Sequence, residues 1–136
     1  MNEQSLVRAL NSLAPSNDHL IIVGGSAHRL FVLHPLGREP GFELLTTEDV
    51  DIAAPLELRF DKSQNLLSQL NEAGFVEEVR GADEPTYIYR SVDEQESYVQ
   101  FIAPLKGSGI KRDGTKDRLL RFSGINAEKL QYVDLL

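Results

Sequence analysis

Cysteine and tryptophan are absent from this chain of 136 residues, and methionine occurs once. Without thiols there are no disulfide staples and no thiolate metal sites, so stability has to come from packing. The three histidines, His19, His28 and His34, are scattered and do not reproduce the ligand spacing of a zinc site. No apolar run approaches the length that spans a bilayer, and the stretch from Met1 to Arg8 is polar and charged, unlike a secretory signal. The expected location is therefore the cytoplasm, although the lack of cysteine leaves the redox compartment open. Basic residues are also in the minority. Fourteen Lys and Arg against 21 Asp and Glu give a net charge of -7, which argues against a surface built for unspecific nucleic-acid binding.

What is present suffices for one core. A hydrophobic content of 41% over this length fits one domain spanning residues 1–136. The final Asp134-Leu135-Leu136 carries no polar tail, which raises the expectation that this domain is the N-terminal part of a longer protein. One segment departs from the acidic average: Lys106, Lys111, Arg112, Lys116, Arg118 and Arg121 face only Asp113 and Asp117. Such a stretch is either a surface for a triphosphate or an RNA end, or a solvated loop.

Hydrophobic periodicity outlines the elements. Leu6, Leu10 and Leu13 predict a first helix closed by Pro15, and Leu20 to Val23 predict a short buried strand running into Gly24-Gly25. A second helix is expected from about Ser26, with Ala27, Leu30, Phe31 and His34 on one face, stopped by Pro35. Residues 34–47 carry Pro and Gly in quick succession and read as a long connection. Leu66, Leu67, Leu70 and Ala73 predict a helix starting near Asp61 and closed at Gly74, and strands are expected at Phe75–Arg80, Thr86–Arg90 and Ser97–Ile102. Ala127, Leu130, Tyr132, Val133 and Leu136 suggest a final helix. This order implies an α/β or α+β domain with a mixed β-sheet flanked by helices.

Two elements carry chemistry. Val23-Gly24-Gly25-Ser26-Ala27 is a strand-turn-helix junction whose glycines let backbone approach phosphate oxygens, while Ser26 and the helix N-terminus supply donors. Glycine pairs after strands are also ordinary tight turns. Asp49-Val50-Asp51-Ile52 alternates so that both carboxylates fall on one strand face, opposite the apolar residues. Two carboxylates so placed can hold magnesium in hard oxygen coordination and bridge it to a triphosphate. Thr46 and Thr47 either orient this strand or simply enter it as β-branched residues, and Tyr87, Tyr89 and Tyr98 read as packing residues.

Gly24-Gly25-Ser26, followed at a distance by Thr47-Glu48-Asp49-Val50-Asp51-Ile52, resembles the signature of the polymerase-beta type nucleotidyltransferase superfamily. The strongest likeness lies between Ile22 and Pro55. Arg29, the run Val99 to Gly107 and the expected closing helix over Ala127 to Leu136 are similar to the bacterial minimal or toxin-like branch. The resemblance implies a magnesium-dependent transfer of a nucleoside monophosphate from a nucleoside triphosphate to a hydroxyl on an RNA end, a protein or a small molecule. It implies Asp49 and Asp51 as catalytic metal ligands, with Gly24, Gly25, Ser26, Arg29 and Lys106 as nucleotide-binding residues. Lys106 resembles the lysine that accompanies two acidic positions in some toxin-like relatives. One departure matters: the strand expected to bring a third carboxylate carries Gln100, which cannot act as a base. Glu96 on the same strand, or Asp93 or Glu94 from the preceding turn, are the acids expected to substitute. The alternative implied by Gln100 is a catalytically degenerate nucleotidyltransferase-like module serving binding or assembly.

Overall fold

A computed structural model describes residues 1–38, 41, 47–54 and 65–133. Half of the expected 34–47 connection, including Thr46, the expected helix start near Asp61, and residues 134–136 lie outside them. Helix α1 (Glu3–Leu13) starts where the Asn2 side chain accepts from Ser5 N at 2.8 Å, satisfying one of the amide groups a helix leaves open. It buries Leu6, Ala9 and Leu13 along one stripe and passes into a 3-10 turn at Ala14–His19. The chain continues through β1 (Ile21–Val23), α2 (Gly24–Leu33), β2 (Asp49–Ala53), α3 (Leu66–Glu72), β3 (Phe75–Arg80), β4 (Thr86–Ser91), β5 (Tyr98–Pro104), β6 (Leu119–Phe122) and β7 (Ile125–Leu130).

The seven strands form one mixed sheet in the order β1-β2-β5-β4-β3, with β7 joined to β5 and β6 to β7. β2 and β5 run parallel, while β1 is antiparallel to β2. On the side of β5 away from β2, the partner changes along the strand: β4 pairs with Tyr98 and Val99, and β7 takes over at Ile102 to Pro104. The fold is thus α+β, with three α-helices among the described residues around a mixed sheet. None of its described helices is long and apolar enough to cross a membrane.

The core lies on the sheet face that carries Val50, Ile52, Val99, Phe101, Ala103, Tyr89, Ile125 and Ala127, closed by Leu6, Ala9 and Leu13 of α1 and Leu66 and Leu70 of α3. Phe101 is its centre, edge-on to both Tyr89 and Phe122 at centroid separations of 5.6 and 6.4 Å. Truncating it to Ala would cost about 3–5 kcal/mol, the scale for a fully buried aromatic.

Two expectations are corrected. The predicted C-terminal helix over Ala127 to Leu136 is strand β7 where it begins, and Ser123 and Gly124 form the turn that joins it to β6. Both turn residues have positive φ, 48° and 79°, the requirement of a two-residue hairpin of the type that matches strand twist. Ile125 and Ala127 are buried at a spacing of two, so the period is that of a strand. The same turn closes the start of α3, because Leu66 N donates to Ser123 Oγ at 2.9 Å and Asn65 caps Ser68 N at 2.9 Å. The second correction concerns β1. It pairs only with β2 among the described residues and leaves Ile21 49% exposed, so it is an edge strand and not a buried one.

Candidate active site

The site begins with the alternation of β2. Val50 and Ile52 are buried in the core, so Asp49 and Asp51 project from the opposite face, both partly exposed. Parallel pairing with β5 sets Tyr98 beside Asp49 and Gln100 beside Asp51 on that face. Antiparallel pairing with β1 sets Val23 opposite Asp51, which brings the β1–α2 junction against the second carboxylate.

The contact there is close. Gly24 has φ +70°, and a Cβ at this position would lie 2.9 Å from Asp51 Oδ2. A Cβ on Gly25 would lie 2.3 Å from Thr47 Cγ2. Any larger residue at either place would displace a side chain of the segment that carries the carboxylates. Val23 gives α2 no side-chain cap, so the first amide groups of that helix keep their capacity to meet an anion.

Ser26 is buried, and its hydroxyl donates to the Asp49 carbonyl at 2.8 Å. Thr47 Oγ1 donates to the same carbonyl at 3.2 Å. The two hydroxyls tie the start of β2 to the start of α2 and thereby set where the carboxylates project. Arg29 donates through Nη1 to the Met1 carbonyl at 3.0 Å, and the Met1 ammonium donates to the Thr47 carbonyl. Arg29 therefore connects helix α2 with Met1, which precedes the N-cap of α1, and through it with the entry to β2.

Burial and, second to it, the charge of Asp49 push the Asp51 carboxyl above its ordinary range. Tyr98 is pushed upward too, first by burial and then by Asp49. Among the described residues no Lys, Arg or His forms an ion pair with either aspartate. Nor does any described group of three or more His, Asp or Glu residues come together around a metal position.

The remaining acids go elsewhere. Asp93 pairs with Arg8 in the middle of α1, and Glu94 accepts from the N-cap Asn2 N at 3.0 and 3.1 Å, so both serve α1. Glu96 is exposed in the turn before β5, outside the regular strand. Lys106 is exposed past the C-terminal end of β5, while the two aspartates flank the beginning of that strand. Two of the six basic residues of the segment, Lys116 and Arg118, share one acid, Glu84, at 2.7 and 3.8 Å. One acid escaped sequence reasoning: Glu128 of β7, whose Oε2 accepts from Gln100 Nε2 at 3.1 Å. The hairpin signal Ser123-Gly124 would have revealed a strand there, and with it a carboxylate on the aspartate face.

The second of two partly exposed carboxylates on one strand face thus lies beside a helix start to which Val23 gives no side-chain cap. The profile of the nucleotidyltransferase family matches residues 2–136, nearly the whole chain, and the chain belongs to that family of transferases. No curated protein and no solved structure matches it.

Proposed function

We propose that the chain is a magnesium-dependent nucleotidyltransferase of the polymerase-beta type, acting in a bacterial cytoplasm. It moves a nucleoside monophosphate from a nucleoside triphosphate to a hydroxyl acceptor on an RNA end, a protein or a small molecule. One observation carries the reading: Asp49 and Asp51 share one strand face, neither forms an ion pair among the described residues, and Asp51 lies against the Gly24 backbone. Their donor atoms are anionic oxygens, the set that a hard divalent cation requires. Magnesium, when bound, supplies charge neutralisation to the triphosphate.

The chain's own residues do the holding. Asp49 and Asp51 are the ligands, and the amide groups of Gly24, Gly25 and Ser26 meet the phosphates. The Ser26 hydroxyl fixes the Asp49 backbone, so its contribution is to the position of the carboxylates. Arg29 adds positive charge one turn into α2, and Lys106 would reach the nucleotide from the loop after β5. Catalysis of this kind is positioning and charge stabilisation, with attack of the acceptor hydroxyl on the α phosphorus and departure of pyrophosphate.

Calorimetric titration with each nucleoside triphosphate, with and without magnesium, tests the donor site. Binding that requires magnesium and is lost in the Asp49→Asn, Asp51→Asn double variant supports the reading, and binding that ignores either condition removes it. A second reading, a degenerate module that binds or assembles without transfer, is favoured by Gln100 beside Asp51. Magnesium-dependent binding without pyrophosphate release under any acceptor would select it.

A further inference from the structure

The third member of the face is Gln100, and its amide has two unlike ends. Nitrogen repels a cation and oxygen ligates one, so which end faces the aspartates decides whether Gln100 helps or hinders. The structure contains a residue that settles the orientation. Gln100 Nε2 donates to Glu128 Oε2 at 3.1 Å, and a carboxylate accepts without donating, so the amide nitrogen is the end that must face β7. Glu128 is set there by backbone register. Its Cα partner on β5 is Ile102, one alternation along from Gln100 on the same face, while the neighbour of Gln100 on its other side is Asp51. The oxygen is the end left for a ligand, beside the strand that carries the two aspartates.

We infer that Glu128 is a positioning residue that locks the Gln100 amide with its oxygen available as a neutral third donor for the divalent cation held by Asp49 and Asp51. The inference rests on the nucleotidyl-transfer reading of the aspartate pair. It assigns a purpose to glutamine where a carboxylate would be expected: two anionic ligands and one neutral oxygen, oriented from behind by an acid that does not itself touch the metal. Residues that orient a ligand in this way are worth about 10–100-fold in metal affinity.

Manganese binding to the full chain, read by electron paramagnetic resonance with and without a non-hydrolysable ATP analogue, tests this apart from turnover. Glu128→Ala should weaken Mn2+ binding about ten-fold, and Glu128→Gln, which keeps the shape but accepts either end of the amide, should weaken it less. Gln100→Ala should lose as much as Glu128→Ala, with the double variant no worse than either single one. In a Gln100→Asp background, where both ends of the side chain are oxygen, Glu128→Gln should cost nothing. Unchanged Mn2+ affinity in Glu128→Ala or Glu128→Gln, alongside loss in Asp49→Asn, would overturn the role of Glu128 and leave the two-aspartate site standing. Failure of Asp49→Asn and Asp51→Asn to affect Mn2+ binding would instead remove the site itself. Thermal unfolding of each variant identifies any that does not fold, and the near-isosteric Glu128→Gln then carries the test.

Discussion

Two regions of one sheet face treat acidic residues in opposite ways. At the β3–β4 end, Glu78 accepts from Arg80 Nε at 3.2 Å and from Arg90 Nη2 at 3.1 Å, and both guanidinium groups lie over the Tyr98 ring at 5.3 and 6.0 Å. The hydrogen bonds from Arg90 and then Arg80 hold the Glu78 carboxyl down at about 2. At the β2 end, across the same tyrosine, Asp51 is pushed upward by burial and by Asp49. Among the described residues one acid is paired with two guanidinium groups and the other forms no ion pair. A partly buried acid without such a partner is a candidate for binding a ligand, while a paired acid is accounted for by structure.

The contrast breaks most sharply at the aspartates. Asp49→Asn or Asp51→Asn should reduce nucleotidyl transfer by about a hundred- to a thousand-fold, the scale of losing a principal charge-stabilising group, while circular dichroism stays native. Transfer that survives in either variant would mean that the unpaired acids are incidental.

Gly24 sharpens the comparison by separating backbone strain from contact. Gly24→Ala places a side chain at φ +70° and within 2.9 Å of Asp51 Oδ2. The left-handed conformation alone costs about 1–2 kcal/mol, which lowers Tm by roughly 5 °C in a domain of this size. Gly114→Ala, at φ +84° with nothing within 4 Å, carries the same backbone penalty without the contact. Both variants should melt early, and only Gly24→Ala should lose magnesium-dependent nucleotide binding. Equal binding in the two would detach the turn from the site.

Ser26→Ala tests the tie between α2 and β2. Removing a buried hydroxyl that donates to the Asp49 carbonyl should cost about 1 kcal/mol by chemical denaturation. If the bond sets the carboxylate position, metal affinity falls with it. Stability lost at constant metal affinity would confine Ser26 to packing.

Much of this site is legible in the residues themselves. Asp49 and Asp51 stand out because a period of two between Val50 and Ile52 fixes their face without any tertiary knowledge, and the glycines of the turn are visible for the same local reason. What stays hidden depends on pairings between distant segments. The Gln100–Glu128 contact exists only because β7 joins the edge of β5 that β4 vacates, and no local pattern announces that exchange. The commitment of Asp93 and Glu94 to α1 is hidden in the same way. The missed β6–β7 hairpin is different, since Ser123-Gly124 between two apolar runs is a local signal. The helical spacing of Ala127, Leu130 and Val133 competed with it, and burial at Ile125 and Ala127 decided for the strand.

The smallest effects lie in the pH dependence of stability, where the two regions should carry opposite signs. Glu78 has a folded pKa below its unfolded value of 4.5, so its contribution is complete above that pH and disappears as pH falls through about 2. Asp51 has a folded pKa above its unfolded value of 3.8, so its ionised form burdens the folded state at neutral pH, and the burden lifts as pH falls through the raised value. With cations removed by chelator, Asp51→Asn should therefore unfold at slightly higher urea than wild type at neutral pH. That advantage should fade in acid. Glu78→Gln should unfold slightly earlier above pH 4.5, with the deficit vanishing toward pH 2. Saturating magnesium should reverse the order at the first position only, because a bound cation stabilises the wild-type pair and has nothing to gain from asparagine. A magnesium effect of equal size at both positions would mean that the cation screens charge over the whole face and that Asp51 is no more a ligand than Glu78.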